Sequence, residues 1–263
     1  MTEKLPMKIW RVLYPILLYF ALSFFVSFIV EVVLGLMPSN KSLTERVTEF
    51  AGITQIIYLA ISIIVMYFVY KNTYVRQSDY IFKHPIYIPV IFLMGIFASH
   101  GLSALVSCLN LDNILGSYSN ISNTIFSYAP VVVIISTVIL APVSEELVFR
   151  GIVFNRLRDY TGFWTSVIIS SVLFGVYHFN LAQGLFAFLY GILLCLVYDK
   201  FKNLFVNMFM HAAGNLIAVV ITYTGFDYPE YWMVPAVGAA AVLAACALYY
   251  FVIRKAETVR TDI

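Results

Sequence analysis

A handful of residues between positions 145 and 215 could do chemistry together. Glu145, Glu146 and Arg150 stand in "APVSEELVFRG", residues 141–151, a stretch that is otherwise almost wholly apolar. His178 closes "FGVYH" four residues after Phe174, and His211 and Asn215 bracket "HAAGN". An ionisable residue inside a membrane helix costs from about 2.5 kcal/mol upward and marks a functional site by default. Residues four apart on a helix share a face. That spacing pairs Glu146 with Arg150, Phe174 with His178, and His211 with Asn215. Glu145 then points about 100° away from Glu146, so its carboxylate is free to aim elsewhere.

These groups suit hydrolysis by an activated water. A carboxylate held near a neutral histidine in a low-dielectric cavity can serve as general base toward water, for attack on an amide carbonyl. The amide of Asn215, or a protonated histidine, could stabilise the oxyanion that forms. No serine sits in a G-x-S-x-G setting and no cysteine has a histidine partner close in sequence, so nucleophilic catalysis is the weaker reading. Structural readings stand beside these. Glu146–Arg150 has the spacing of a structural ion pair, His178 could make only an interhelical hydrogen bond, and a small-residue helix with Asn215 is also common packing glue. Glu145 reads as the base because an unpaired buried carboxylate is costly to keep. His84 and His100 read as structural or interfacial, Glu31 as interfacial, and Asp199 with Lys200 as a solvated helix-end pair.

The elements that must position these residues follow from composition. Of 263 residues, 62% are hydrophobic and 11% charged, with a mean hydropathy of +0.89. A soluble domain has apolar and charged shares nearer ~45–50% and ~25%. The excess must face lipid, where helices satisfy their own backbone groups, and the runs lack the two-residue alternation of a barrel. The expected fold is an all-α polytopic membrane bundle. A ruler of roughly 20 apolar residues gives eight spans, at about 10–36, 50–70, 86–109, 125–147, 163–178, 184–199, 203–222 and 232–253. The basic start followed by a run to Met37 is too long for the ~7–15-residue core of a secretory signal, so a retained first span is expected. Pro85 and Pro89 suit the entry to the third span. Pro142 predicts a kink or break.

Positively charged loops stay cytoplasmic. With eight spans, Lys4, Lys8, Arg11, Lys71, Arg76, Lys83, Arg156, Arg158, Lys200, Lys202, Arg254, Lys255 and Arg260 fall on one side, and only Lys41 and Arg46 on the other. Both termini are therefore expected in the cytoplasm of an integral, multi-pass protein of the cell membrane. Counted at ~1.5 Å per residue from the cytoplasmic ends, Glu145 lies about 15 Å deep, His211 and Asn215 about 12–18 Å, and His178 about 22 Å. A cavity open to the cytoplasm would let water reach them. Residues 1–263 read as a single membrane domain with its catalytic core at about 125–222, and the loops near 71–85 and 110–124 are too short to fold alone. The net charge of +2 is accounted for by the inside bias, which leaves nothing to suggest nucleic acid. Cys108, Cys195 and Cys246 are an odd count without short spacing and read as packing residues.

The three motifs in this order, "EELVFRG", "FGVYH" and "HAAGN", resemble those of the CAAX protease and bacteriocin-processing family of intramembrane endopeptidases, type II CAAX prenyl proteases among them. The likeness covers roughly residues 125–222 and leaves the first three spans without a signature. The resemblance implies that Glu145 activates water with help from His178. It makes His211 and Asn215 the oxyanion-binding residues, with Glu146, Arg150 and Phe174 supporting the site. The family has also been described as metalloproteases. Two histidines and a glutamate could hold zinc, but H-x-x-x-N lacks the His–His pair of H-E-x-x-H. A glutamate-activated water with no required metal is expected. The substrate would be a peptide or membrane protein, and these motifs suit a prenylated chain and an unmodified one equally. Two rivals remain, a proton-coupled transporter and a non-catalytic partner-binding or immunity protein of the same fold. The chain lacks the repeated halves of the first, and it retains every motif residue that the second would be expected to lose.

Overall fold

Apolar runs of this length leave their backbone groups no partner but each other, and they fold as helices. The computed structural model describes residues 4–71, 83–111 and 124–255, with no strand among them. Arg76 and Arg260, and most of the loops expected near 71–85 and 110–124, lie outside the described residues. Among the described residues, eight helices of 15 residues or more follow one another: α1 Leu5–Leu36, α2 Leu43–Lys71, α3 Tyr87–Ser107, α4 Pro130–Tyr160, α5 Phe163–Tyr177, α6 Leu181–Phe201, α7 Leu204–Thr224 and α8 Met233–Lys255. All but α5 are long and apolar enough to cross a membrane, and the chain is an integral, multi-pass helix bundle. With 15 residues, α5 spans only about 22 Å, against roughly 30 Å of hydrocarbon.

Local chemistry sets several helix ends. Ser42 and Glu45 open α2 with reciprocal bonds, the Ser42 amide donating to Glu45 Oε2 at 2.8 Å and the Glu45 amide to Ser42 Oγ at 3.3 Å. Pro130 begins α4, where a missing amide hydrogen costs little. Gly225, at φ 63°, ends α7 in the left-handed conformation.

The fourth helix departs from expectation in two ways. It runs on to Tyr160 instead of stopping near 147, because Glu146 pairs with Arg150 and the charges that end an apolar count do not end the helix. Pro142 causes no break either. Ile134–Leu140 is π-helical, and the Ala141 amide reaches back to Ser136 O. Thr137 O would next look to position 142, where proline has no hydrogen to give. Asn215 Nδ2, on α7, donates to Thr137 O instead, at 2.7 Å. A second π stretch, Leu147–Phe154, follows the short α-helical piece Ala141–Glu146. The two glutamates are thus bracketed by π-helix, a form that recurs at functional sites.

Side-chain contacts fix which helix ends lie together. At one end Asn155 Nδ2 donates to Tyr198 OH at 2.7 Å, Arg156 Nη2 to Tyr14 OH at 2.8 Å, and Lys202 Nζ to Asp199 Oδ1 at 2.6 Å. The Tyr87 ring meets Phe201 at 6.0 Å. The starts of α1, α3, α5 and α7 and the finish of α2, α4, α6 and α8 share this end, which is rich in lysine and arginine. At the far end His100 Nε2 and Tyr228 OH hydrogen-bond at 2.5 Å, and Phe126 meets Tyr223 at 5.5 Å. Helices approach closely at glycine. A Cβ on Gly175 of α5 would lie 2.6 Å from Gly184 O of α6, so the hairpin between these helices needs a bare backbone there.

Candidate active site

Glu146 and Arg150 form the dry side of the site. Both are 0% exposed, with Arg150 Nη1 donating to Glu146 Oε1 at 2.8 Å. His211 Nδ1 donates to the same oxygen at 2.9 Å, and Asn207 Nδ2 to Oε2 at 3.3 Å. A buried carboxylate with this many donors, one of them an arginine, is held in a single position. The guanidinium also donates through Nη2 to Gly191 O at 3.2 Å and lies 4.5 Å from the Phe174 ring centroid. Gly191 makes the room, since a Cβ there would stand 3.2 Å from Nη2.

Glu145, one residue earlier, faces the other way. It is 8% exposed and lines a cavity of about 730 Å³ together with His178, His211 and Asn215. Its Oε2 lies 3.7 Å from His211 Nε2, inside ion-pair range but too long for a hydrogen bond. His211 thus stands between two carboxylates, fixed by Glu146 and turned toward Glu145. Tyr190 and Phe174 flank its ring edge-on, at 5.8 and 5.9 Å.

His178 caps the C-terminus of α5. Its Nδ1 lies 2.8 Å from Phe174 O. A carbonyl only accepts, so Nδ1 carries the proton and Nε2 is left as an acceptor. The next residue, Phe179, takes φ 51° and packs against Phe20 of α1 at 5.2 Å, which fixes the turn that presents His178. Asn215 donates one amide hydrogen to Thr137 O and retains the other.

Every site residue expected from the motifs is therefore in one neighbourhood. Glu145, His178, His211 and Asn215 share the cavity wall, while Glu146, Arg150 and Phe174 support it from behind. The motifs did not reveal Asn207, Thr137, Gly191 or Ser144, whose Oγ bonds Tyr19 OH at 2.8 Å. Asn207 carried a signal, since it stands four residues before His211 and shares its face. Among the described residues, no three His, Cys, Asp or Glu side chains converge as a metal-ligand set.

The cavity leads away from the basic end of the bundle, the end that the lysine and arginine bias expects in the cytoplasm. From Glu145 and His211 it passes Thr137 and Asn215 and reaches Ser107, Asn110 and Thr222, where α3 and α7 finish. Ser107, Asn110 and Thr222 are exposed. The shortness of α5 sets His178 back from that end.

Residues 127–217, which hold this entire constellation, match the family described as "Type II CAAX prenyl endopeptidase Rce1-like". By this region the chain is similar to the Rce1-like family. Over 92 residues it is also 33% identical to a Bacillus subtilis (strain 168) protein described as "Putative membrane peptidase YdiL". That likeness covers 35% of this chain and 37% of the relative. No solved structure gives a significant match. The Rce1-like region takes in α4 to most of α7, and α1, α2, α3 and α8 surround it.

Proposed function

We propose that the protein is an intramembrane endopeptidase that hydrolyses a peptide bond of a membrane-associated substrate with a water activated by Glu145. The observation that carries this reading is the division of labour between adjacent carboxylates. Glu146 is held by Arg150, His211 and Asn207, whereas Glu145 faces a cavity large enough for a peptide segment. A cavity of several hundred Å³ with convergent polar groups is the usual form of a substrate site.

In the proposed reaction Glu145 takes a proton from water as the oxygen attacks the peptide carbonyl. His178 assists through Nε2, its other nitrogen being committed to Phe174 O. The oxyanion is received by the remaining N–H of Asn215 and by His211, which donates from Nε2 when doubly protonated between its two carboxylates. The proton then passes from Glu145 to the leaving amine, and the peptide separates as an acid and an amine. No step is routed through a metal ion.

The test is an unbiased comparison of protein termini in cells that carry the wild type or Glu145→Gln. Termini present only with the wild type support proteolysis and name its substrates. Identical termini with both proteins expressed and folded overturn it.

A further inference from the structure

The substrate cavity and the cationic residues occupy opposite ends of the bundle. Lys4, Lys8, Arg11, Lys71, Lys83, Arg156, Arg158, Lys200, Lys202, Arg254 and Lys255 belong to the end where α1 starts and α4 finishes. Among described residues the far end has only Lys41, joined to Glu49, and Arg46, which is buried and donates to Met37 O at 3.0 Å. Lysine and arginine in short loops are retained in the cytoplasm during insertion, and a bias this strong orients the whole bundle. The cavity mouth at Ser107, Asn110 and Thr222 lies at the far end.

We infer that the cavity opens on the non-cytoplasmic face, so that the substrate is a peptide segment displayed or exported on that side. This rests on the proposed peptidase activity for the substrate, but the orientation itself does not. A second feature agrees with it. The cavity wall on α3 carries Ser99, Ser103 and Ser107, with Gln55 and Gln183 from α2 and α6. Such a wall offers hydrogen bonds to an extended backbone entering from water, since peptide groups need partners wherever they leave solvent. The basic end, by contrast, is joined by Arg156 to Tyr14 and by Lys202 to Asp199, with no lining residue of this cavity among them. Substrate reaches Glu145 without passing the cationic loops.

The test uses the full chain in intact cells. With Cys108, Cys195 and Cys246 replaced by serine, single cysteines are placed by Ser107→Cys or Thr222→Cys at the mouth and by Lys71→Cys at the basic end. A membrane-impermeant maleimide is expected to label the two mouth sites in intact cells as fully as after permeabilisation. Lys71→Cys should be labelled only after permeabilisation. Mouth sites labelled only after permeabilisation, or not at all, overturn the orientation.

A fusion after Ile263, with all native cysteines kept, decides the same point if the cysteine-free protein does not fold. A fluorescent reporter that matures only in the cytoplasm should glow, whereas an active periplasm-dependent phosphatase in its place overturns the inference. The Glu145-dependent termini then decide the substrate class. They should map to exported proteins or to outward segments of membrane proteins, and termini confined to cytoplasmic segments overturn it. Absence of any such termini removes the peptidase reading, while the labelling still fixes which way the cavity faces.

Discussion

Glu145 and Glu146 are neighbours in the chain and differ in nearly everything else. Glu146 is fully buried, with donors from Arg150, His211 and Asn207 on its two oxygens. Glu145 is 8% exposed, faces the cavity, and has its nearest basic nitrogen 3.7 Å away. A saturated carboxylate is rigid and inert, and one with open acceptor sites can bind and deprotonate water. One residue of helical rotation is enough to separate the two roles. His211 links them, because the nitrogen fixed by Glu146 determines where the other one points.

Substitutions can break or sharpen this contrast. The largest effect belongs to Glu145→Gln, which should reduce cleavage by about 10³-fold or more, the scale of a lost general base. Its thermal midpoint in detergent should match the wild type, and a parallel fall in stability would erase the distinction between the two glutamates. Next comes Glu146→Gln, which strands the Arg150 guanidinium in the interior and should lower stability by about 3 kcal/mol. A thermally unchanged Glu146→Gln would contradict its structural role, and adding Arg150→Met should recover part of the loss. Asn215→Ala should cost about 1–2 kcal/mol, because Thr137 O loses its donor opposite Pro142. Cleavage should drop as well, and a stability loss with unaltered turnover would confine Asn215 to holding α4 and α7 together. The smallest effect is expected from Tyr19→Phe, which removes the bond to Ser144 and should cost about 1 kcal/mol in a denaturation series.

The bundle and the clustering of the motif residues were legible in the sequence for different reasons. The helices follow from apolar length, although α5 is too short to cross, and the four-residue spacing of Glu146–Arg150 and His211–Asn215 sorts faces before any contact is known. The end of α4 was not legible, because an apolar count halts at charges that the fold neutralises internally. Nor was the accommodation of Pro142, which depends on a π-helical register and on a donor 78 residues away. Gly191 left no trace either, since its importance lies in the Arg150 side chain that passes beside it and not in its own helix. The direction of the cavity required the relative placement of α3, α5 and α7, which local patterns do not contain.

The π-helical stretch Ile134–Leu140 has a consequence for how this site could change by deletion or insertion. A π turn amounts to one extra residue wound into an α-helix. The wider turn absorbs that residue locally, so deleting it would return the stretch to ordinary winding and leave the faces on either side in nearly their present phase. The same deletion from an α-helical stretch would instead turn everything on one side by about 100° relative to the other. Glu145 and Glu146 thus keep their separate sides across a change of length within Ile134–Leu140, and α4 can gain or lose a residue there without re-aiming the motif.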